Sequence, residues 1–320
     1  MSIQPESNLV TGAEDANHPS ITPGFSRVSI FKGPSGIRAG WRLAMFFAVF
    51  LAIGSGLNFV LREVPAVGAW HKSLPRDVMT APGMIFDEGG AVLVLLLSAL
   101  VMTFIEKRGF ADYYLPPNEA FGKRFWQGLP YGLVLLSLLL TLIAALHGFS
   151  LEGVALTLRD GLKYGLLYGI GFLLVGIFEE FSFRGYMQST LGSGIGFWPA
   201  AIVLSILFGA VHLGNKGEAW FGALMAGSFG LLAALALNRT GNLWFPIGMH
   251  AAWDWGETYL YGVPDSGFLA RGHLLNSSFH GAAWITGGTV GPEGSVFAFV
   301  TLAVGAVGIH FLFPKRVLSK

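Results

Sequence analysis

The sequence contains no cysteine and few charged residues. Without cysteine, the chain has no disulfide bond, no thiolate metal ligand and no cysteine nucleophile. Charged residues make up 12% of the 320 residues, about half of the roughly 25% that is typical of soluble domains. The 20 basic and 19 acidic residues nearly balance, so we expect no basic surface for nucleic acid and no nucleic-acid partner.

What the sequence does contain is apolar runs about 20 residues long, the length that crosses a bilayer as a helix. Hydrophobic residues make up 53% of the chain, and the mean hydropathy is +0.59. The pattern predicts an all-α, polytopic membrane bundle of about eight transmembrane helices. The predicted helices are Leu43–Leu61, Gly89–Ile105, Phe125–Ala145, Tyr164–Gln188, Gly196–Leu213, Trp220–Leu237, Leu243–Tyr261 and Val296–Phe313.

The ends of the chain suggest its organisation and orientation. Residues 1–38 are polar and contain proline and glycine, so we predict a disordered segment there, followed by one membrane domain over residues 39–320. With the N-terminus inside, most of the 20 basic residues fall on the inner side, as the positive-inside rule requires. We therefore predict a multi-pass protein of the inner membrane with both termini in the cytoplasm.

Ionisable residues inside apolar segments are costly and mark candidate functional sites. The first group is Glu179-Glu180 followed by Arg184. Glu180 and Arg184 are four residues apart and share a helix face, whereas Glu179 points about 100° away and has no local partner. A helix end at the membrane interface with one ion pair is the alternative explanation.

Two further groups contain histidine. His212 closes the fifth apolar segment, where an interfacial histidine is the alternative explanation. His250 and Asp254 are four residues apart, so a carboxylate can orient an imidazole, or the pair can join two helices. Glu257 lies near the same face and carries the least weight.

Helix lengths give the depth of these residues. Counted from the inner ends of the predicted helices, the depths are about 14 Å for Glu179, 24 Å for His212 and 10 Å for His250. Tilt would narrow this spread, so we expect one shared site in the inner half or the middle of the membrane.

The motifs Glu-Glu-x-x-x-Arg, Phe-x-x-x-His and His-x-x-x-Asp follow one another on separate hydrophobic segments. This order resembles bacterial members of the CAAX protease and bacteriocin-processing family, the type II CAAX prenyl endopeptidase or ABI family, over about residues 160–262. The resemblance implies an eight-helix bundle with a cavity open to the cytosol. It also implies a site formed by Glu179, Glu180, Arg184, His212, His250 and Asp254. Asp254 stands where the family often has asparagine.

The resemblance implies an intramembrane endopeptidase that acts on membrane-associated protein or peptide substrates. The chain has neither Gly-x-Ser-x-Gly nor His-Glu-x-x-His, so an activated water is the expected nucleophile, with Glu179 as general base. His212 and His250 would stabilise the oxyanion or, together with Glu179, bind a divalent metal, for which zinc is the expected ion. A metal-free mechanism that depends on glutamate is the alternative.

Other functions compete with proteolysis. An ion- or proton-coupled transporter also needs intramembrane carboxylates and histidines, and a protein of the same fold could serve as a non-proteolytic immunity or scaffold protein. A purely structural subunit would leave the six polar residues unexplained. The glycine-rich stretch Gly262–Ser295 is predicted to be an ordinary outer loop in preference to a substrate contact.

Overall fold

The fold is built almost entirely from helices. The structure is a computed structural model that describes residues 30–33, 36–75, 78–214, 220–314 and Leu318. The helices are α1 (Ala39–Arg62), α2 (Pro65–Ser73), α3 (Ala81–Glu106), α4 (Lys123–Ala145), α5 (Leu158–Glu180), α6 (Gln188–Ile195), α7 (Phe197–His212), α8 (Trp220–Thr240), α9 (Trp244–Trp255), α10 (Ala283–Thr286) and α11 (Val296–Leu312).

Short elements complete the chain. The strands are β1 (Lys32–Gly33), β2 (Gly36–Ile37), β3 (Phe149–Val154) and β4 (Leu275–Phe279). Two π-helical turns, Phe181–Met187 and Gly256–Tyr261, continue α5 and α9 without a break. Because the first of these leads directly into α6, one helix runs from Leu158 to Ile195.

The helices have the lengths and compositions of membrane spans. Within the described residues, α1, α3, α4, α8 and the continuous helix Leu158–Ile195 are long and apolar enough to cross a membrane, and α7 and α11 are shorter apolar helices. Each predicted segment coincides with a helix. The prediction of an all-α, multi-pass membrane bundle is therefore confirmed.

Several helix ends differ from the prediction because polar residues extend the apolar runs. Helix α3 begins at Ala81 and therefore includes Asp87 and Glu88, which hydropathy had placed outside the membrane segment. Helix α5 begins at Leu158, where the Thr157 hydroxyl caps it by accepting a hydrogen bond from the Asp160 N–H at 3.2 Å. The predicted end at Gln188 is wrong, because the helix continues to Ile195.

The predicted disordered segment lies largely outside the described residues. Its last part is ordered, since β1 and β2 pair antiparallel, with Lys32 opposite Ile37. The Phe31 ring packs on Trp41 of α1 at 4.7 Å between ring centroids, so an aromatic contact holds this hairpin on the first helix.

Helix α9 lies at the centre of the bundle, and its residues Trp244–Asp254 are all buried. Helix α4 approaches it through Gly128 and Gly132, where an added Cβ would lie under 3.0 Å from the Phe245 and Met249 carbonyl oxygens. Glycine is required at this crossing, because a larger residue would force the helices apart. The close packing fixes the position of α9 against its neighbours.

The bundle has two distinct ends. At one, the Leu243 N–H donates to the Tyr114 carbonyl at 2.9 Å, and the Asn238 amide donates to the Leu318 carbonyl at 2.6 Å. The start of α1 lies at this end too, since Arg42 pairs with Glu106. We call it the terminal end.

The other end carries the Gly262–Ser295 loop. Strand β4 of this loop pairs antiparallel with β3, with Phe149 opposite Phe279. The Met79 N–H, just before α3, donates to the Leu269 carbonyl at 2.8 Å. We call this the loop end; it is opposite the terminal end because each spanning helix joins one to the other.

Candidate active site

The two adjacent glutamates lie where α5 passes into a π-helical turn. Such turns are rare and occur often at functional sites. Glu180 is completely buried, and its Oε1 accepts a hydrogen bond from Arg184 Nη1 at 3.2 Å. The structure therefore contains the pair that the i,i+4 spacing predicts. The side chain of Glu179 keeps a quarter of its surface exposed.

Arg184 is buried among apolar and aromatic groups. Its guanidinium lies over the Phe208 ring, 4.1 Å from the centroid. Gly230 of α8 leaves the space for it, since a Cβ at that position would lie under 3.0 Å from Arg184 Nη2. The alternative prediction of a helix end here is wrong, because the helix continues to Ile195, and only 2% of Arg184 is exposed.

His250 of α9 connects the acidic residues of two helices. Its Nδ1 donates to Glu180 Oε1 at 2.7 Å, while its Nε2 lies 3.6 Å from Glu179 Oε2 and 3.5 Å from Asp254 Oδ2. With Nδ1 engaged, Nε2 is the ring nitrogen that can take part in chemistry. Asp254 thus lies beside the histidine, as predicted from their spacing.

His212 lies in the same cavity but is held separately. It is the last residue of α7, and its Nδ1 donates to the Phe208 carbonyl at 2.7 Å. The Phe208 ring packs against His212, at 4.5 Å between centroids, and against His250, at 6.4 Å. The two histidines therefore share one aromatic neighbour and line one cavity.

The cavity holds about 200 Å³, room for several waters at about 30 Å³ each. Four of the six predicted residues line it, namely Glu179, His212, His250 and Asp254. Glu180 and Arg184 lie behind this wall and contact it through His250 and Phe208. The structure thus brings all six predicted residues into one connected group.

The cavity also contains acidic residues that the sequence motifs did not indicate. Glu88 of α3 and Asp265 and Glu293 of the Gly262–Ser295 loop line it. The prediction that this loop is an ordinary outer loop is wrong, since Asp265, Ser266, Phe268 and Glu293 form part of the cavity wall. Glu88 could have been identified from the sequence, because it directly precedes a long apolar run and a carboxylate at such a position is a candidate functional residue.

The loop reaches the cavity through close backbone contacts. Gly291 has φ +106°, and an added Cβ there would lie under 3.0 Å from the Pro264 carbonyl oxygen. Glycine at this position places the segment around Glu293 beside Asp265. Burial raises the pKa of Asp265 well above its usual range, and repulsion from Asp254 and Glu293 raises it further.

The cavity extends to the loop end of the bundle. Met79, Asp265 and Glu293 belong to that end and line the cavity. From Ile195 up to Glu179 the rise is about 24 Å, and from Phe197 to His212 it is about 22 Å, so these two residues lie at similar heights. Glu179 therefore lies near the middle of the helix that runs from Leu158 to Ile195.

A comparison with protein families identifies a match over part of the chain. Residues 162–256 match the model of the family described as type II CAAX prenyl endopeptidase Rce1-like. The matched stretch includes all six predicted site residues, whereas Glu88, Glu257, Asp265 and Glu293 lie outside it. A comparison with curated proteins finds no match for the chain.

Proposed function

We propose that the chain is an intramembrane endopeptidase, because its residues 162–256 match the model of the type II CAAX prenyl endopeptidase Rce1-like family. It hydrolyses peptide bonds of membrane-associated proteins or peptides, and the nucleophile is a water activated by Glu179. The observation that carries this proposal is His250, held through Nδ1 by Glu180, with its Nε2 beside Glu179 in a cavity.

Each residue has a role that follows from its contacts. Glu179 is the most exposed of the site acids that contact His250, so it can reach a cavity water and act as the general base. Because each Nδ1 already donates a hydrogen bond, the Nε2–H of the protonated ring is the donor left for the oxyanion in His250 and His212. Glu180, Arg184 and Asp254 are positioning residues that act through His250.

The reaction then proceeds in two steps. Glu179 takes a proton from water while the oxygen bonds to the carbonyl carbon, and the negative charge on the carbonyl oxygen is stabilised by the histidines. The C–N bond then breaks, and the proton held by Glu179 passes to the departing amine. The products are a carboxylic acid and a free amine.

A zinc ion at Glu179, His212 and His250 stays a prediction. The donor types suit zinc, but their positions do not. In the described part of the chain, one set of three such residues has all its ligand atoms within 4.8 Å of one another, and it is a different set. Zinc would therefore require these side chains to move closer, and we assign no step to a metal.

The position of the cavity indicates how a substrate enters. A second cavity of about 560 Å³ adjoins the first and shares Met79, Met84, Glu88 and Phe268 with it. Both lie toward the loop end. With both termini in the cytoplasm, we propose that this inner-membrane protein receives its substrate from the extracytoplasmic side, unlike the cytosolic opening that the family resemblance implies.

The test uses a Glu179→Gln variant, which keeps the size of the side chain and removes the base. Wild-type and variant proteins are reconstituted in vesicles with membrane peptides, and new peptide N-termini are identified by mass spectrometry. We expect specific cleavage by the wild type and at least 10²-fold less by the variant. The variant should also retain bound, uncleaved peptide that can be identified after purification.

A matched control is Glu152→Gln, which removes an exposed carboxylate on β3 and should cleave normally. Normal cleavage by a well-folded Glu179→Gln protein would contradict the proposal. Solute or proton flux that depends on Glu179, without cleavage, would establish the transporter instead.

A further inference from the structure

Three carboxylates converge between α9 and the Gly262–Ser295 loop, outside the family-matched residues. Glu257 lies in the π-helical turn after α9, whereas Asp265 and Glu293 belong to the loop. One oxygen of each lies within 4.8 Å of the others. Glu257 and Asp265 are buried, and Glu293 is partly buried.

The hydrogen bonds around the three acids leave one of them unpartnered. Asp265 Oδ2 accepts from the Thr258 hydroxyl, and Glu293 Oε2 accepts from the Ser266 hydroxyl, each at 3.0 Å. Glu257 is 0% exposed, and neither of its oxygens has a hydrogen-bond partner among the residues that the structure describes. The Trp253 indole N–H approaches this carboxylate without forming a hydrogen bond.

This arrangement is unfavourable for a protein without a ligand. Burial of an ionised carboxylate without a hydrogen bond destabilises the folded state, because nothing compensates for the lost hydration. Two more carboxylates within 4.8 Å add electrostatic repulsion. A bound divalent cation would remove both costs at once. The hydroxyl groups of Thr258 and Ser266 already orient the other two acids.

We propose that Glu257, Asp265 and Glu293 bind a Ca²⁺ ion that fastens the Gly262–Ser295 loop to α9. All donors are oxygens, which suits a hard cation, and Ca²⁺ tolerates irregular geometry from loop residues better than Mg²⁺ does. Two of the ligands, Asp265 and Glu293, also line the cavity. The ion therefore holds one wall of the candidate active site in place.

Binding is measured directly on the purified full-length protein in detergent, after treatment with EGTA. Tb³⁺ serves as a luminescent probe, since Trp253 lies beside the site and can sensitise its emission, and Ca²⁺ is then added as competitor. We expect Tb³⁺ emission on excitation of tryptophan and its loss on addition of Ca²⁺. The melting temperature should rise with Ca²⁺, because a ligand that binds only the folded state stabilises it.

Two variants make the test specific. Glu257→Gln and Asp265→Asn keep the side-chain shape and remove one charge each, and we expect each to weaken Ca²⁺ binding at least tenfold. Glu152→Gln, which removes an exposed carboxylate on β3, should bind Ca²⁺ like the wild type. Glu179→Gln should also bind Ca²⁺ normally, so a failure of the proposed proteolysis would leave this result intact.

The opposite outcome is equally clear. Without a cation site, the three acids would share protons, and Glu257→Gln would raise the melting temperature in Ca²⁺ as much as in EGTA. A wild-type protein with no Tb³⁺ emission and no response to Ca²⁺, together with a Glu257→Gln variant that is more stable than the wild type in Ca²⁺, would overturn the cation site.

Discussion

One oxygen of Glu180 joins two helices of the site. Glu180 Oε1 accepts from His250 Nδ1 at 2.7 Å and from Arg184 Nη1 at 3.2 Å. The imidazole of α9 and the guanidinium of the π-helical turn thus depend on the same acceptor. Removing it would release the orientation of His250 and leave Arg184 as a buried charge without a counter-ion.

A Glu180→Gln variant should therefore cleave about 10- to 100-fold more slowly, as is typical when an orienting partner is lost. The fall should appear in kcat more than in KM, because the substrate-binding surface is unchanged. Glu179→Gln should fall further, by at least 10²-fold. Kinetics of both variants on one peptide substrate check this order, and an equal loss would mean that Glu180 acts on the substrate itself.

Selective chelation separates the two forms of the mechanism. Because the ligand atoms of Glu179, His212 and His250 do not converge within 4.8 Å, we expect cleavage to survive phenanthroline, which removes zinc and leaves calcium. EGTA, which removes calcium and zinc alike, serves as the comparison, with Ca²⁺ or Zn²⁺ added back separately. Activity lost to phenanthroline and restored by Zn²⁺ but not by Ca²⁺ would establish the zinc site instead.

The orientation of the bundle can be measured with single cysteines, because the natural chain has none. Ala282 is exposed at the loop end, and Asn118 is exposed at the terminal end. In intact cells, an impermeant maleimide should label Ala282→Cys and should label Asn118→Cys only after the membrane is permeabilised. A reporter enzyme fused after Lys320 should be active in the cytoplasm.

The reverse labelling pattern would also be informative. It would place the loop end in the cytoplasm, so the cavity would open to the cytosol as the family resemblance implies. The prediction that both termini are cytoplasmic would then be wrong.

The crossing of α4 and α9 should tolerate no side chain. In Gly132→Ala, the methyl group would lie under 3.0 Å from the Met249 carbonyl oxygen, next to His250, so the helices must separate. We expect destabilisation of about 1–3 kcal/mol, as for other overpacked cores, and reduced cleavage. Thermal unfolding in detergent and activity are measured together.

Gly56→Ala is the matched control. Gly56 lies in α1, where no atom of the described part of the chain lies within 4 Å of an added Cβ, so alanine should be neutral or stabilising by up to about 1 kcal/mol. Equal behaviour of the two variants would contradict the close-packed crossing.

The sequence predicted those features that depend on local chemistry. Long apolar runs identify spanning helices because each apolar residue contributes separately to the free energy of transfer into the bilayer. The Glu180–Arg184 pair follows from helix geometry alone. By contrast, the bond from His250 to Glu180 joins residues 70 positions apart, and no local pattern specifies which of the two glutamates receives it.

Other parts of the site depend on loop conformation. Asp265 and Glu293 reach the cavity because Gly291 adopts a positive φ and packs against Pro264, which a glycine-rich sequence permits but does not specify. Glu257 illustrates the same limit. It carried the least weight in the sequence, yet it is completely buried in the structure, because the π-helical turn directs it toward the loop.

The unbroken helix from Leu158 to Ile195 also affects the surrounding lipid. At 1.5 Å per residue it is about 57 Å long, nearly twice a hydrocarbon core of about 30 Å. Leu158, Leu162 and Leu166 form an exposed apolar stripe from its first turn, and we expect tilt of the helix or local thickening of the bilayer to bring lipid tails to it. The thickness of the bilayer should therefore affect the tilt of the helix that carries Glu179.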